Sequence, residues 1–230
     1  MRDFPRRTLT AIAYGAIVLL AVAAPPVAFW LLLGVAGALG LLELVALRGG
    51  RPSIVFGAVF LLGLASLGAL REVGALGARH GTASELPVWL FVALLPTWAA
   101  DVFAYLIGSA VGRRPLAPRI SPGKTWEGTL AGFGACAVVT LAVAATFGLP
   151  RLPAAIAAIG LGPVGLAGDL LESYVKRRAG VKDSGTILPG HGGVLDRLDS
   201  LTTASTFLLV VLATWGASQL GGEGGLFDRF

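Results

Sequence analysis

The sequence predicts an all-α fold, a polytopic transmembrane helical bundle of about seven spans with its N-terminus in the cytoplasm. The 230-residue chain is 55% hydrophobic and only 13% charged, and its mean hydropathy of +0.80 lies outside the range of soluble globular domains. Its low-charge segments run for about 17 to 22 residues, the length a helix needs to cross the hydrocarbon core. Transmembrane β-strands would be about half as long.

The predicted spans are joined by connections of unequal length. The first apolar stretch leads into Pro25, Pro26 and a second span without a small-polar-small cleavage pattern, so we interpret it as a retained helix and not a signal peptide. A short eighth segment within 71–87 stays open. We divide the chain into N-terminal transmembrane helices (1–86) and a C-terminal transmembrane region (87–230), where we expect the chemistry in the cytoplasmic loops 109–127 and 174–200. The predicted spans are 8–24, 27–47, 53–70, 87–108, 128–147, 152–173 and 201–220.

Basic residues alternate between the two sides of these spans. Of the 18 lysines and arginines, 14 fall on the side of the N-terminus, which places that terminus in the cytoplasm and the C-terminus outside. The same asymmetry accounts for the net charge of +5, so we expect no nucleic-acid partner. Cys136 is the only cysteine, which excludes an intrachain disulfide and a cysteine-based zinc site.

The end of the sixth span carries a polar stripe. Asp169, Glu172, Ser173 and Lys176 are spaced so that they share one face of a helix. Ionisable residues in a bilayer are costly unless they face protein, water or a ligand, which makes them functional candidates. For Glu172 and Lys176, a helix end that emerges among lipid headgroups, with the lysine reaching for the surface, is an equal alternative. Asp169 lies about one turn deeper.

Two cytoplasmic loops, 109–127 and 174–200, are the richest in polar residues. In the second loop, basic side chains would neutralise phosphate oxygens, and glycines would let backbone amides approach an anion. Carboxylates in the same segment indicate a bridging cation, for which Mg²⁺ is suited. We interpret His191 as a residue of a turn or of substrate positioning, in preference to a general base. The residues concerned are Lys176, Arg177, Lys182 and Arg197; Gly185, Gly190, Gly192 and Gly193; and Asp183, Asp196 and Asp199.

The fourth span and the first loop add further candidates. Asp101 and Tyr105 are one turn apart within the span, and a helix–helix hydrogen bond is the alternative role for Asp101. Ser121, Lys124 and Thr125 follow in the loop. The Gly-Lys-Thr triplet is not a phosphate-binding P-loop, because no glycine precedes it at the required spacing.

These segments resemble one family. The pattern S-x-x-K-R-x4-K-D-x-G-x3-P-G-H-G-G-x2-D-R-x-D, over residues 173–199, resembles the signature of the phosphatidate cytidylyltransferases. The segments 121–128 and 101–105 are similar to two other marked segments of that family. The resemblance covers the C-terminal half, and the N-terminal half is shorter than in many members.

The resemblance implies that a cytidylyl group passes from CTP to phosphatidic acid, with release of pyrophosphate. It also implies an all-helical membrane fold and Mg²⁺ dependence; a second cation such as K⁺ and a homodimer stay open. From the resemblance together with the distribution of basic residues, we expect an integral membrane protein of the bacterial inner membrane, with an active site that faces the cytoplasm among membrane lipids. The resemblance assigns the metal to Asp169 and Asp196. The catalytic candidates are Asp169, Asp196, Lys176 and Asp199, and the substrate-binding candidates are Asp101, Tyr105, Ser121, Lys124, Thr125, Ser173, Arg177, Lys182, Asp183, His191, Gly192, Gly193 and Arg197.

Two alternatives remain at the level of sequence. The same reaction on another phospholipid acceptor would use the same loops, since selection of the lipid tails would occur in an apolar groove. A cation-coupled membrane transporter would place its acids near the middle of the bilayer and show a repeat between halves. The acids here instead crowd the cytoplasmic side beside glycines and basic residues.

Overall fold

A computed structural model describes residues 4–47, 50–79, 86–185, 187 and 192–220. Within them, six helices are long and apolar enough to cross a membrane, and the first helix contains a shorter apolar stretch, Ala13–Ala23. The predicted all-α membrane bundle is thereby confirmed. The helices are α1 (Phe4–Ala23), α2 (Pro26–Leu47), α3 (Arg51–Arg79), α4 (Val88–Val111), α5 (Trp126–Thr146), α6 (Arg151–Arg178) and α7 (Leu195–Leu220).

Several helices extend beyond the predicted spans. Because hydropathy marks only the apolar part of a helix, it misses polar turns that continue outside the hydrocarbon. Helix α3 continues to Arg79, through much of the interval where an eighth segment was left open, and residues 80–85 lie outside the described part of the chain. Helix α7 begins at Leu195, so Asp196 and Asp199 belong to its first turns and not to a loop.

The connection between α4 and α5 contains a small β-hairpin that the sequence did not predict. Strands β1 (Pro115–Ala117) and β2 (Ser121–Thr125) pair antiparallel, with Pro115 opposite Thr125 and Ala117 opposite Ser121. The Thr125 hydroxyl then accepts a hydrogen bond from the Gly128 amide at 3.2 Å and caps the start of α5. Strand β2 therefore leads directly into α5. Its pairing with β1 fixes the position of the β2 side chains.

Helix α7 lies at the centre of the bundle. It packs against α2, α3, α4 and α6, while α4 packs along α5. The α4–α5 contact is close because small residues face each other: a Cβ added at Gly132 would lie 2.8 Å from the Ala100 carbonyl oxygen. The polar residues at the start of α7 are consequently within reach of side chains from several other helices.

Candidate active site

A cavity of about 280 Å³ lies between α4, α5, α6 and the hairpin. Its wall brings together residues from both marked segments of the C-terminal half. Predicted site residues from three elements line it, and Ser200 of α7 adds a further polar group. The predicted residues on the wall are Asp101 and Tyr105 of α4, Lys124 and Thr125 of β2, and Asp169 of α6.

The Lys124 ammonium and the Asp169 carboxylate form an ion pair on this wall. Burial by itself would lower the pKa of Lys124, but the adjacent Asp169 carboxylate outweighs it and raises the pKa above its usual value. Lys124 is therefore a cation at neutral pH. Both side chains keep some exposure, 28% for Lys124 and 21% for Asp169, so a ligand in the cavity can reach them.

Lys176 joins two carboxylates in a second, more deeply buried cluster. Its ammonium contacts Asp196 and lies 2.7 Å from Glu172 Oε2, and the Glu172 residue is only 1% exposed. Of the two alternatives for Glu172 and Lys176, an emerging helix end does not fit, because both residues are buried. Asp199, 8% exposed, lies beside this cluster and accepts a hydrogen bond from the Ser200 amide at 2.7 Å.

Asp196 also receives hydrogen bonds from the α6–α7 connection. Its Oδ2 atom accepts from the Gly193 amide at 2.7 Å, the Ser184 amide at 2.9 Å and the Ser184 hydroxyl at 3.0 Å. Gly192 has φ of +82°, and a Cβ there would collide with this carboxylate. Ser184, Gly192 and Gly193 thus lie around an anion that belongs to the protein itself.

Glu43 of α2 is a residue of this region that the sequence reasoning missed. Its carboxylate is buried and accepts hydrogen bonds from the Val194 and Leu195 amides, each at 3.0 Å. It also lies 3.0 Å from the Ser184 hydroxyl, whose single proton it shares with Asp196. The signal was available, because an acid inside an otherwise apolar span is a functional candidate.

The remaining predicted residues occupy different places. Arg177 joins the two loops, since its guanidinium donates to the Ile120 carbonyl at 3.1 Å and to the Val181 carbonyl at 2.8 Å. The Ser173 hydroxyl lies 3.4 Å from Asp169 Oδ1, and Ser121 opens strand β2. Lys182 and Asp183 are exposed in the α6–α7 connection. His191 lies outside the described residues.

Arg197 lines a second cavity, of about 270 Å³, between α1, α2 and α7. Apart from Arg197 and Tyr14, every side chain on its wall is apolar. The α2 residues on the wall run from Phe29 to Leu39, about 15 Å of helix. The cavity is thus an apolar space of roughly half the hydrocarbon thickness, with a cationic residue among its lining groups.

The described residues contain no group of three or more acidic, histidine or cysteine side chains that could hold a metal ion unaided. Mg²⁺ usually takes one or two carboxylates together with substrate phosphates and water, so a full protein cage is not required. Asp101 and Asp169, on the same cavity wall, fit that limited requirement.

Comparison with known proteins identifies the family. The model of the cytidylyltransferase family matches residues 78–215. The chain is 41% identical over 133 residues to a phosphatidate cytidylyltransferase of Pseudomonas aeruginosa, covering 56% of this chain and 49% of that protein. It is 46% identical over 124 residues to one of Brucella abortus (53% and 44%) and 45% identical over 135 residues to one of Haemophilus influenzae (56% and 45%). It spans about half the length of the curated relatives it matches. The chain belongs to the cytidylyltransferase family.

Proposed function

We propose that this protein transfers a cytidylyl group from CTP to phosphatidic acid and so forms CDP-diacylglycerol and pyrophosphate. The observation that carries the proposal is the Lys124–Asp169 pair on the wall of a cavity within membrane-length helices. Membership of the cytidylyltransferase family supports it, as do the names of the relatives.

The reaction is a direct displacement at phosphorus. An oxygen of the phosphatidate phosphate attacks the α-phosphorus of CTP, a new P–O bond forms there, and the bond to the oxygen that bridges to the β-phosphate breaks. Pyrophosphate leaves with that electron pair. The attacking oxygen is already anionic, so positioning and charge neutralisation matter more than a strong base, and no covalent enzyme intermediate is needed.

The residues of the chain would supply the positive charge that this step needs. Lys124, held in its cationic form beside Asp169, would contact phosphate oxygens from within the cavity. Arg177, Lys182 and Arg197 would contact the triphosphate or the lipid phosphate from the loop side. Two phosphate groups repel each other, so these cations favour the close approach that the displacement requires.

Mg²⁺ would bind at Asp169 and, as the family resemblance implies, at Asp196. When bound, the ion offsets negative charge on the reacting phosphates. Asp196 already accepts hydrogen bonds from Lys176, Ser184 and Gly193, so Asp169, which faces the cavity, is the better placed ligand. Asp101 on the same wall is available as a further oxygen donor.

The location of the site suits one soluble and one lipid substrate. We propose that the protein lies in a bacterial inner membrane with the hairpin and the α6–α7 connection in the cytoplasm, as the distribution of basic residues predicts. CTP would then arrive from the cytoplasm, and phosphatidic acid would move laterally between helices.

The direct test uses protein purified in detergent and supplied with CTP, phosphatidic acid and Mg²⁺. We expect equal amounts of CDP-lipid and pyrophosphate, and loss of both when EDTA is added or ATP replaces CTP. Other phospholipid acceptors form a parallel arm, and product with one of them alone would change the assigned acceptor. If the folded protein forms no product with any of the acceptors, the proposal is contradicted.

A variant in the second cavity tests whether that cavity takes lipid tails. Ala36 lines the cavity on α2, whereas Ala38 faces away and is exposed. We expect Ala36→Phe to raise the KM for phosphatidic acid several-fold and leave the KM for CTP unchanged, because the added ring fills apolar space. Ala38→Phe is the matched control. Equal lipid KM values in both variants would exclude this cavity from lipid binding.

A further inference from the structure

Glu43 stands apart from the residues that the family comparison covers. It lies on α2, outside the matched range 78–215, one turn before the end of that helix at Leu47. Glu43 is only 5% exposed, and it makes no ion pair with any of the described residues. A buried carboxylate without a cation is costly unless hydrogen bonds compensate it, so the identity of its partners indicates its role.

Within the described part of the chain, the hydrogen-bond partners of the Glu43 side chain belong to the α6–α7 connection and the start of α7. Oε1 accepts from the Val194 amide, and Oε2 accepts from the Leu195 amide, both at 3.0 Å. The first amides of a helix have no partner within the helix and carry its partial positive charge. Glu43 therefore caps α7 from a helix about 150 residues earlier in the chain.

A single hydroxyl connects this cap to the candidate active site. The Ser184 Oγ atom lies 3.0 Å from Glu43 Oε2 and 3.0 Å from Asp196 Oδ2. Asp196, in the first turn of α7, in turn contacts Lys176. A change at Glu43 would thus act on Asp196 by two routes, the position of the helix start and the Ser184 hydroxyl.

Two glycines of the signature segment fit closely around the same carboxylate. A Cβ at Gly185 would lie 2.6 Å from Glu43 Oε1, and a Cβ at Gly193 would collide with Glu43 Oε2 and the Ser184 hydroxyl. The absence of side chains at these positions is therefore explained by contact with α2, independently of any bound phosphate.

We propose that Glu43 is a positioning residue for the reaction: from the N-terminal helices, it holds the start of α7 so that Asp196 keeps its orientation toward Lys176. The inference rests on the proposed cytidylyl transfer. It gives the N-terminal helices a part in the active site beyond membrane anchoring.

The test compares Glu43→Gln, Glu43→Asp and a matched control, Glu72→Gln. Glu72 accepts a hydrogen bond from Trp30 at 3.2 Å, far along α3 from this site. In Glu43→Gln, the new side-chain NH₂ would face the Val194 or the Leu195 amide, which is itself a donor, so one hydrogen bond is lost. We expect kcat to fall about 10- to 100-fold, the range seen when an active-site ligand loses its hydrogen-bonded support, with the KM for phosphatidic acid little changed. Glu43→Asp keeps the charge and should recover part of kcat.

A double variant separates positioning from general destabilisation. If Glu43 acts through the Ser184 connection, Glu43→Gln with Ser184→Ala should be little worse than the more severe single change, because both remove the same network. Wild-type protein without activity would overturn the proposed function. If the wild type is active and Glu43→Gln is as active per folded molecule as Glu72→Gln, this inference alone is overturned.

Discussion

Asp196→Asn is expected to lower turnover about 100-fold while the protein still inserts and folds. One carboxylate oxygen contacts Lys176, and the other accepts three hydrogen bonds from Ser184 and Gly193. An asparagine must turn its NH₂ group toward one of these sets of donors. Loss of a buried charge-paired contact costs about 3 kcal/mol, which corresponds to roughly a 100-fold lower rate if the cost falls on the transition state.

The measurement is CDP-lipid formation per folded molecule, with folding followed by gel filtration and thermal unfolding in detergent. Glu72→Gln, remote from the site, serves as the control for purification and reconstitution. Near-normal activity in Asp196→Asn would remove Asp196 from both the metal site and the catalytic cluster.

Lys176→Met is expected to have the largest effect on stability. Methionine matches the length of lysine but removes the cation that lies between Glu172 and Asp196, both of which are buried. Breaking a buried ion pair by removing one partner destabilises a protein by about 3–5 kcal/mol, because a charge is left uncompensated. We therefore expect a clearly lower unfolding temperature and no detectable product.

A second change separates the two effects of Lys176→Met. Adding Glu172→Gln removes one of the uncompensated carboxylates, so the unfolding temperature should recover in part while activity stays absent. If Lys176→Met unfolds like the wild type, the buried cluster is not an ion-paired network of the kind described. If the double variant regains activity, Lys176 serves only stability.

The sequence predicted the bundle well because the relevant signal is strong and local. A run of about twenty apolar residues has few alternatives to a membrane-crossing helix, and α2, α5 and α6 begin within two residues of their predicted starts. The start of α7 was placed six residues late, because Asp196 and Asp199 made that turn look like a loop. The β-hairpin was missed because neither strand shows a two-residue alternation of apolar and polar side chains.

The candidate site was predictable as a set of residues but not as an arrangement. Sequence spacing brought Asp169, Glu172 and Lys176 to one helix face, and the structure shows Glu172 and Lys176 buried beside α7 and Asp169 on the cavity wall. It gave no means of pairing Lys124 with Asp169, since 45 residues separate them. The sequence also did not show that Asp169 and Asp196 contact different lysines. In the structure, Asp169 lies on the wall of the cavity and Asp196 lies in the buried cluster. Glu43 was missed, although it is an acid inside an otherwise apolar span.

The central claim is that the α-phosphate of CTP is transferred to a lipid at this site, and CTP labelled at either the α- or the γ-phosphate tests it most directly. With phosphatidic acid and Mg²⁺, we predict that α-label enters the lipid fraction, that γ-label appears only in pyrophosphate, and that Asp169→Asn stops both. Lipid that carries the γ-label, or undiminished transfer of α-label in Asp169→Asn, would contradict the proposed reaction or its assignment to this cavity.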